Sequence, residues 1–187
     1  MRIVGGFLKG RRFNPPAKNW PTRPTTDYSK EGLYNILMNK IDFEEIVFLD
    51  LFGGTGSHCY EMISRGCEDA TYVDKFPAAV RFVQETSKQF GIDEYLQIVR
   101  EDVFKFIKKT TRHYDLIFAG PPYPLKNIAD IPDIVISSGI LKSDGMLILE
   151  HNPNVNLDDH PHLIDQRSYG QTIFSFFKQG HDKLSQA

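Results

Sequence analysis

The sequence predicts an α/β protein in which a doubly wound, mostly parallel sheet ends in a C-terminal antiparallel hairpin. Three observations support this fold class. From Ile46 onward, short apolar runs rich in β-branched residues alternate with helix-like stretches, which is the pattern of βαβ units. The first run leads into a glycine-dense turn, VFLDLFGGTGS at residues 47–57. Two later strand-like runs flank the turn sequence SYGQ at residues 168–171, which favours a hairpin at one sheet edge.

The elements of the sheet can be assigned one after another. Gly66 and Gly91 are placed for C-terminal helix caps, and Pro77 suits a first helical turn. The closing hairpin is predicted to pair residues 163–167 with residues 172–177. The other predicted strands are residues 47–50, 70–73, 96–99, 116–119 and 146–150, and the helices between them are residues 59–65, 77–89, 103–109 and 128–138.

The region before the sheet is predicted to contain a small β-hairpin, a linker and a helix. Two strand-like pieces, residues 2–4 and 11–13, flank a glycine-rich turn, and so short a hairpin must dock on the main body. The proline-rich residues 14–21 are predicted to be extended, with Trp20 either packed on the domain or available to stack on a base. The helix is predicted over residues 29–40, with Asp27 or Ser29 as its N-cap and an apolar face made by Leu33, Ile36, Leu37 and Ile41.

Positive charge is concentrated at the N-terminus. Residues 1–30 hold seven basic side chains and one acid, a net charge of +6, so the rest of the chain carries −8 because the whole carries −2. A basic block on an acidic body is typical of a contact with a polyanion, although a solvated arm without a partner has the same composition. The candidate contacts are Arg2, Lys9, Arg11, Arg12 and Lys18.

Composition limits the class of protein. The chain has 187 residues, of which 41% are hydrophobic and 25% charged, and this suits one globular domain with a full core. It contains neither a run of apolar residues that could cross a bilayer nor a signal-peptide pattern, so we expect a cytoplasmic protein without membrane contact. The cysteines Cys59 and Cys67 are too far apart along one helix for a disulfide, and no metal-binding cluster is visible.

The glycine-dense turn predicts a nucleotide-like ligand. Gly54 and Gly56 allow positive φ and lack a Cβ, so a polar or anionic group can approach their amides. The alternative is an ordinary turn between strand and helix, whose glycines serve packing alone.

Polar residues recur at the predicted carboxyl ends of the strands, where ligands of such sheets bind. Asp50 ends the first strand, and Asp74, 24 residues later, is placed to accept hydrogen bonds from ribose hydroxyls. After the third strand, Asp102 is placed to accept from an adenine amino group, and Gly120-Pro121-Pro122-Tyr123 follows the fourth. Each acid alone is more often a helix cap or a loop residue than a ligand contact, but their shared position favours one ligand site.

These motifs resemble class I S-adenosylmethionine-dependent methyltransferases, whose fold is Rossmann-like. The resemblance to RsmD-type 16S ribosomal RNA (guanine-N2)-methyltransferases is closer and covers residues 1 to about 177, through MRIVGG, KGRR, RPTTD (residues 23–27), EGLYNIL and LEH. It implies an RNA-binding segment at residues 1–28, a methyltransferase domain at residues 29–178 and a polar tail at residues 179–187. It further implies a cofactor site made by Asp50, Phe52, Gly54, Thr55, Gly56, Asp74, Lys75, Asp102 and Val103, with Arg23 and Thr25.

The resemblance also implies the reaction and its partners. A guanine N2 amine of 16S rRNA, within a 30S subunit or its assembly intermediate, attacks the sulfonium methyl group, and the protein acts as a monomer. The implied catalytic residues are Gly120, Pro121, Pro122 and Tyr123, with Tyr123 stacked on the target base.

One position departs from the family pattern. The residue that accepts the hydrogens of the target amine is normally the Asp or Asn that begins the Pro-Pro-Tyr motif, and here it is Gly120. The backbone carbonyls of Ala119 and Gly120 are candidate replacements, and Glu150 or His151 at the end of the next strand is another.

Three other functions remain open from the sequence. Because position 120 lacks the acceptor side chain, the protein could be an RNA-binding homologue without turnover. An amino-methylase of DNA adenine or cytosine shares the Pro-Pro-Tyr sequence but would need a target-recognition region. A nicotinamide dehydrogenase would need the spacing G-x-G-x-x-G, which is broken because Cys59 follows Gly54 and Gly56.

Overall fold

We describe the protein from a computed structural model, which defines residues 1–15 and 25–180. Within these residues, one mixed sheet of seven strands forms the centre, and five α-helices cover it. The strands are β1 (Val47–Leu51), β2 (Asp69–Asp74), β3 (Leu96–Arg100), β4 (Tyr114–Ala119), β5 (Leu141–His151), β6 (Leu163–Tyr169) and β7 (Thr172–Lys178). The helices are α1 (Asp27–Leu37), α2 (Ser57–Ser64), α3 (Pro77–Phe90), α4 (Val103–Lys109) and α5 (Ile131–Ser138).

The predicted fold class is confirmed by the strand order, β3-β2-β1-β4-β5-β7-β6. The first five strands are parallel, whereas β7 lies antiparallel to both β5 and β6. After β3 the chain returns to the other side of β1 and continues in β4, so the order reverses between β1 and β4. The carboxyl ends of these two strands therefore border the crevice in which ligands of doubly wound sheets bind.

Most element boundaries lie within two residues of the prediction, and the larger differences have local causes. Helix α1 begins at Asp27 because Thr26 is its N-cap, with Oγ1 accepting from the Ser29 amide at 3.1 Å; the predicted caps Asp27 and Ser29 are wrong. Strand β5 starts five residues early, at Leu141, and its pairing with β4 shifts register between Tyr114 and Leu116. The last predicted helix divides into a 3₁₀ turn, Ile128–Asp130, and α5.

The N-terminal segment packs on the domain as part of its main core. Arg2 and Arg12 form a single antiparallel bridge in place of a regular two-stranded hairpin. Ile3, Leu8 and Phe13 are buried in the same hydrophobic cluster as α1, α2 and one face of the sheet. The segment is therefore anchored by apolar burial as well as by the bridge.

A buried ion pair ties this segment to the helices. The Lys30 ammonium lies 3.2 Å from Glu61, with both side chains fully buried, and it donates to the Arg2 carbonyl at 2.6 Å. Glu61 also accepts from the Val4 amide at 2.7 Å. Because desolvating both charges is costly, the two backbone contacts are needed to satisfy the pair.

None of the described helices is long and apolar enough to cross a membrane. Cys59 and Cys67 are buried free thiols, as predicted.

Candidate active site

A cavity of about 360 Å³ opens at the carboxyl edge of the parallel strands. Its size is in the range of pockets that bind small ligands. The loops after β1, β2, β3 and β4 and the end of β5 contribute to its walls. Of the sequence-predicted site residues, the walls contain Thr25, Asp50, Phe52, Gly54, Thr55, Asp74, Lys75, Asp102, Val103, Gly120, Pro121, Pro122 and Tyr123. Gly56 is the N-cap of α2 and does not line the cavity. Arg23 lies outside the described residues.

The glycine-dense turn is shaped by left-handed backbone conformations. Gly54 has φ 52° and Gly56 has φ 75°, while Phe52, which is not a glycine, has φ 60°. The expectation that the glycine amides are bare is wrong, because Gly54 N–H donates to Asp74 Oδ2 at 2.9 Å and Gly56 N–H donates to the Gly53 carbonyl at 2.8 Å. The turn therefore orients Asp74, and the amides of both glycines are already used in hydrogen bonds within the protein.

Asp74 and Asp102 serve both local structure and the pocket wall. Asp74 Oδ1 accepts from the Phe76 amide at 2.8 Å, so the carboxylate connects the turns after β1 and β2. Asp102 is the N-cap of α4, with Oδ1 accepting from the Phe104 amide at 3.1 Å, and its Oδ2 lies 3.6 Å from the Lys75 ammonium. A carboxylate has about four lone-pair sites, so both acids retain acceptor capacity for a ligand.

Asp50 is the most deeply buried acid of the pocket. Burial raises the pKa of its carboxyl to about 8; the hydrogen bond from Cys59 lowers it, and the charges of Asp74 and Glu150 raise it further. The bond from Cys59 Sγ is long, at 3.5 Å. Without a cationic ligand, Asp50 is therefore mostly protonated at neutral pH.

The walls fit the cofactor that the resemblance implies. S-Adenosylmethionine carries a sulfonium, an ammonium and two ribose hydroxyls, which suit a pocket containing the carboxyl groups of Asp50, Asp74 and Asp102. The Ser57 hydroxyl at the start of α2 is buried without a hydrogen-bond partner in the described structure, and it lines the same cavity. A polar ligand group there would satisfy it.

The Gly-Pro-Pro-Tyr segment forms the wall beyond β4. Gly120 N–H donates to the Leu51 carbonyl at 3.1 Å, which holds this loop beside the end of β1. A Cβ added at Gly120 would lie 3.1 Å from the Phe118 ring, which is slightly too close. A small shift of that ring would make space for a side chain at this position. Tyr123 is half-buried and lines the cavity.

A polar cluster in the wall was only partly anticipated from sequence. Glu150 lines the cavity, and its Oε2 accepts from Thr25 Oγ1 at 2.5 Å. His58 was missed, although it follows the glycine turn directly; its Nε2 lies 3.2 Å from Thr25 Oγ1 and its ring stacks on Phe118 with 3.7 Å between centroids. The other candidate acceptor, His151, faces away from the cavity, because Nε2 lies 2.7 Å from Ser175 Oγ.

The predicted RNA-binding residues divide into two groups. Lys9, Arg11 and Arg12 are exposed on a turn, which we call the basic turn (residues 7–12), together with Phe7, whose exposed fraction is 67% and which sequence reasoning missed. Arg2 instead forms ion pairs with the acids of α1, at 3.0 Å to Asp27 and 3.3 Å to Glu31. Lys18 lies outside the described residues.

The fold and the pocket define a class I S-adenosylmethionine-dependent methyltransferase. The strand order, the glycine turn after β1 and the acids after β2 and β3 are the defining features. The chain belongs to the family described as conserved hypothetical protein 95, the RsmD family, whose model matches residues 1–178. The family assignment removes the dehydrogenase alternative.

Individual relatives agree with the family. The candidate rRNA methyltransferase YlbH of Bacillus subtilis (strain 168) is 28% identical over 185 residues, or 96% of this chain and 99% of the relative. Ribosomal RNA small subunit methyltransferase D of Haemophilus influenzae is 26% identical over 153 residues, which cover 80% of this chain and 78% of the relative. A hypothetical protein of Thermus thermophilus superposes with a TM-score of 0.83 at 27% identity, over 96% of this chain and 99% of that structure.

Proposed function

We propose that this methyltransferase transfers the methyl group of S-adenosylmethionine to the exocyclic N2 amine of a guanine in 16S rRNA. The observation that carries the proposal is the cavity that joins the acids at the ends of β1 and β2 and after β3 to the Gly-Pro-Pro-Tyr wall after β4. The relatives whose names specify the small ribosomal subunit support rRNA as the substrate. The protein acts as a monomer on a 30S subunit or its assembly intermediate.

The cofactor is held by the half of the cavity nearest β1, β2 and β3. Asp74, oriented by the Gly54 and Phe76 amides, accepts from the ribose hydroxyls. Asp102 accepts from the adenine amino group beside Val103. Phe52, Thr55 and Lys75 line this half, and Asp50 lies close to the cationic part of the cofactor. Gly56, Thr25 and Arg23 complete the proposed cofactor-binding set.

The target base enters the other half, beside Gly120. The bound cofactor supplies an electrophilic methyl group on a sulfonium, so the protein needs chiefly to align the amine with that methyl group. Tyr123 stacks on the unstacked guanine, and Pro121 and Pro122 shape the wall without amide protons that would compete for its carbonyls. The apolar rings of Phe52 and Phe104, 6.0 Å apart, limit water near the reacting atoms.

The RNA contacts the basic N-terminal segment, residues 1–28. The exposed Lys9, Arg11 and Arg12 bind phosphates. Arg2 and Lys18 complete the proposed RNA-binding set, and the ion pairs of Arg2 with α1 orient the segment toward the domain.

The test is methylation of 16S rRNA from a strain that lacks this protein. Purified protein and radiolabelled cofactor are incubated with naked rRNA, with 30S particles and with duplex DNA, and the labelled nucleoside is identified by mass spectrometry. N2-Methylguanosine from 16S rRNA is the expected product. Label in DNA adenine or cytosine would favour the amino-methylase alternative. Binding of cofactor and RNA without label would favour the homologue that lacks turnover.

A further inference from the structure

We propose that Glu150 is the catalytic residue that accepts the proton of the target amine, held in position by Thr25 and His58. This inference rests on the proposed function and identifies the group that replaces the side chain missing at Gly120. Its basis is a chain of hydrogen bonds that ends on a carboxylate in the wall of the cavity.

The sheet brings Glu150 beside the position of the missing acceptor. Strands β4 and β5 are parallel, with Phe118 opposite Ile148 and Ala119 opposite Leu149. The next residues along the two strands are Gly120 and Glu150, and both line the cavity. Because paired residues of neighbouring strands share a face, the Glu150 side chain projects on the side where a side chain at position 120 would project.

The hydrogen bonds around Glu150 have a definite direction. A carboxylate can only accept, so Thr25 Oγ1 uses its single hydrogen for Glu150 Oε2, at 2.5 Å. The neighbouring His58 Nε2, 3.2 Å from the same hydroxyl, must then donate to it. This leaves His58 Nδ1 as an acceptor, 3.2 Å from the Tyr34 hydroxyl.

The environment of His58 agrees with this direction. Burial, with the Lys30 charge as a second cause, lowers the pKa of the imidazole to about 3, so His58 is neutral and carries one ring proton. Burial also raises the pKa of Tyr34, which stays a donor. The links from His58 Nε2 to Thr25 and from Thr25 to Glu150 therefore point their hydrogens toward Glu150. The Tyr34 hydroxyl has two acceptors at 3.2 Å, His58 Nδ1 and the His58 carbonyl.

A carboxylate at this point can complete the chemistry. The amine nitrogen forms a bond to the methyl carbon while the carbon–sulfur bond breaks, and the electron pair of that bond stays on sulfur. The nitrogen then has a positive charge and one surplus proton, which passes to a Glu150 oxygen. The products are a neutral methylated amine, a thioether and a protonated carboxyl group. Of the other buried acids of the wall, Asp74 is assigned to the ribose, and Asp50 suits this role less because burial raises its pKa to about 8.

The central experiment measures single-turnover methylation of 30S particles at saturating cofactor. Glu150→Gln preserves the size of the side chain and an acceptor for Thr25, but it cannot take a proton under these conditions. We expect a rate at least a hundredfold lower, with affinity for S-adenosylhomocysteine, measured by calorimetry, within twofold of the native protein. Glu85→Gln makes the same change at an exposed position of α3 and is expected to match the native rate.

Thr25 provides a second test of the hydrogen-bond chain. Thr25→Val removes the hydroxyl at nearly constant shape and should slow methylation about tenfold, whereas Thr25→Ser retains the hydroxyl and should restore most of the rate. If Thr25 had a purely structural role, the methylation rates of both variants would fall in proportion to their loss of thermal stability.

The outcomes separate the inference from the function it rests on. An inert native protein that binds cofactor and RNA overturns both. An active native protein with an equally active Glu150→Gln variant overturns only the role of Glu150. A variant that loses S-adenosylhomocysteine affinity by the same factor as the rate would show that Glu150 holds the cofactor instead, which also overturns the inference.

Discussion

At the scale of single residues, Asp74 has a structural role and, as we propose, a role in binding the cofactor. It accepts two backbone amides and also lines the cavity. Asp74→Ala removes the two charge-assisted hydrogen bonds that we propose to the ribose, each worth roughly 1.5–3 kcal/mol, so the affinity for S-adenosylmethionine should fall at least tenfold by calorimetry. Asp74→Asn keeps an acceptor for the Gly54 amide and should show a smaller loss. Unchanged affinity in both variants would remove Asp74 from the cofactor site.

Gly120 is the second residue whose role can be measured directly. Its φ lies outside the left-handed region, and a Cβ would require the Phe118 ring to move by a few tenths of an ångström, so a side chain is tolerable. Gly120→Asp supplies the acceptor of the family motif and should raise the rate of methyl transfer about tenfold, or roughly 1.4 kcal/mol of transition-state stabilisation. The measurement is radiolabelled transfer to 30S particles.

Introducing Gly120→Asp into the Glu150→Gln protein tests whether the new acid can replace Glu150. In the Glu150→Gln protein the new acid should recover part of the lost rate, because it offers another acceptor on the same side of the sheet. Equal rates for the native protein and Gly120→Asp, without recovery in the double variant, would show that a side chain at position 120 is dispensable.

At the scale of elements, the basic turn carries the proposed contact with RNA. It presents Lys9, Arg11 and Arg12 to solvent while Ile3, Leu8 and Phe13 fix it to the core. Replacing the three basic residues by alanine should weaken RNA binding and reduce the slope of log K against log salt, because fewer counterions are released. Affinity for S-adenosylmethionine should not change.

A matched variant controls for charge in this measurement. Lys40, Lys88 and Lys108 are exposed lysines on the body, and their replacement by alanine removes the same formal charge. We expect a smaller effect on the salt slope from this second triple variant. If both triple variants gave the native slope, the basic turn would not be part of the RNA interface.

At the scale of the whole molecule, two buried groups impose opposite pH dependences on the free energy of unfolding. The folded pKa of Asp50, about 8, exceeds its ordinary 3.8, so its contribution to stability is lost as pH rises from about 4 to 8. The folded pKa of His58, about 3, is below its ordinary 6.5, so its contribution is lost as pH falls from 6.5 to 3. The two effects oppose each other between pH 4 and 6.5.

Substituting Asp50 separates these effects. Relative to the native protein, Asp50→Asn should gain stability between pH 6.5 and 8 by about 1.4 kcal/mol per pH unit, the slope for one proton. Urea unfolding of both ligand-free proteins at several pH values provides the comparison, with m-values as the check on two-state behaviour. A stability difference that does not vary with pH over this interval would show that Asp50 ionises normally.

The local signals in the sequence determined the fold class and most of the pocket. Periodicity, glycine caps and the turn after β1 depend on neighbouring residues, so the strands, the helices and the acids at the strand ends could be assigned from the sequence alone. The doubly wound arrangement followed because parallel βαβ units permit few topologies, whereas the order of the strands came from the structure. Motif resemblance added the family, which the match over residues 1–178 confirms.

Only the tertiary structure decided how residues distant in sequence meet. Thr25, His58 and Glu150 come from before α1, from α2 and from β5, and no spacing in the chain relates them. Register is the reason that Glu150 rather than His151 faces the cavity, because neighbouring residues of a strand point to opposite faces. Ionisation follows the same rule: an aspartate at a strand end looks ordinary in sequence, and it is burial in the fold that raises the pKa of Asp50 to about 8.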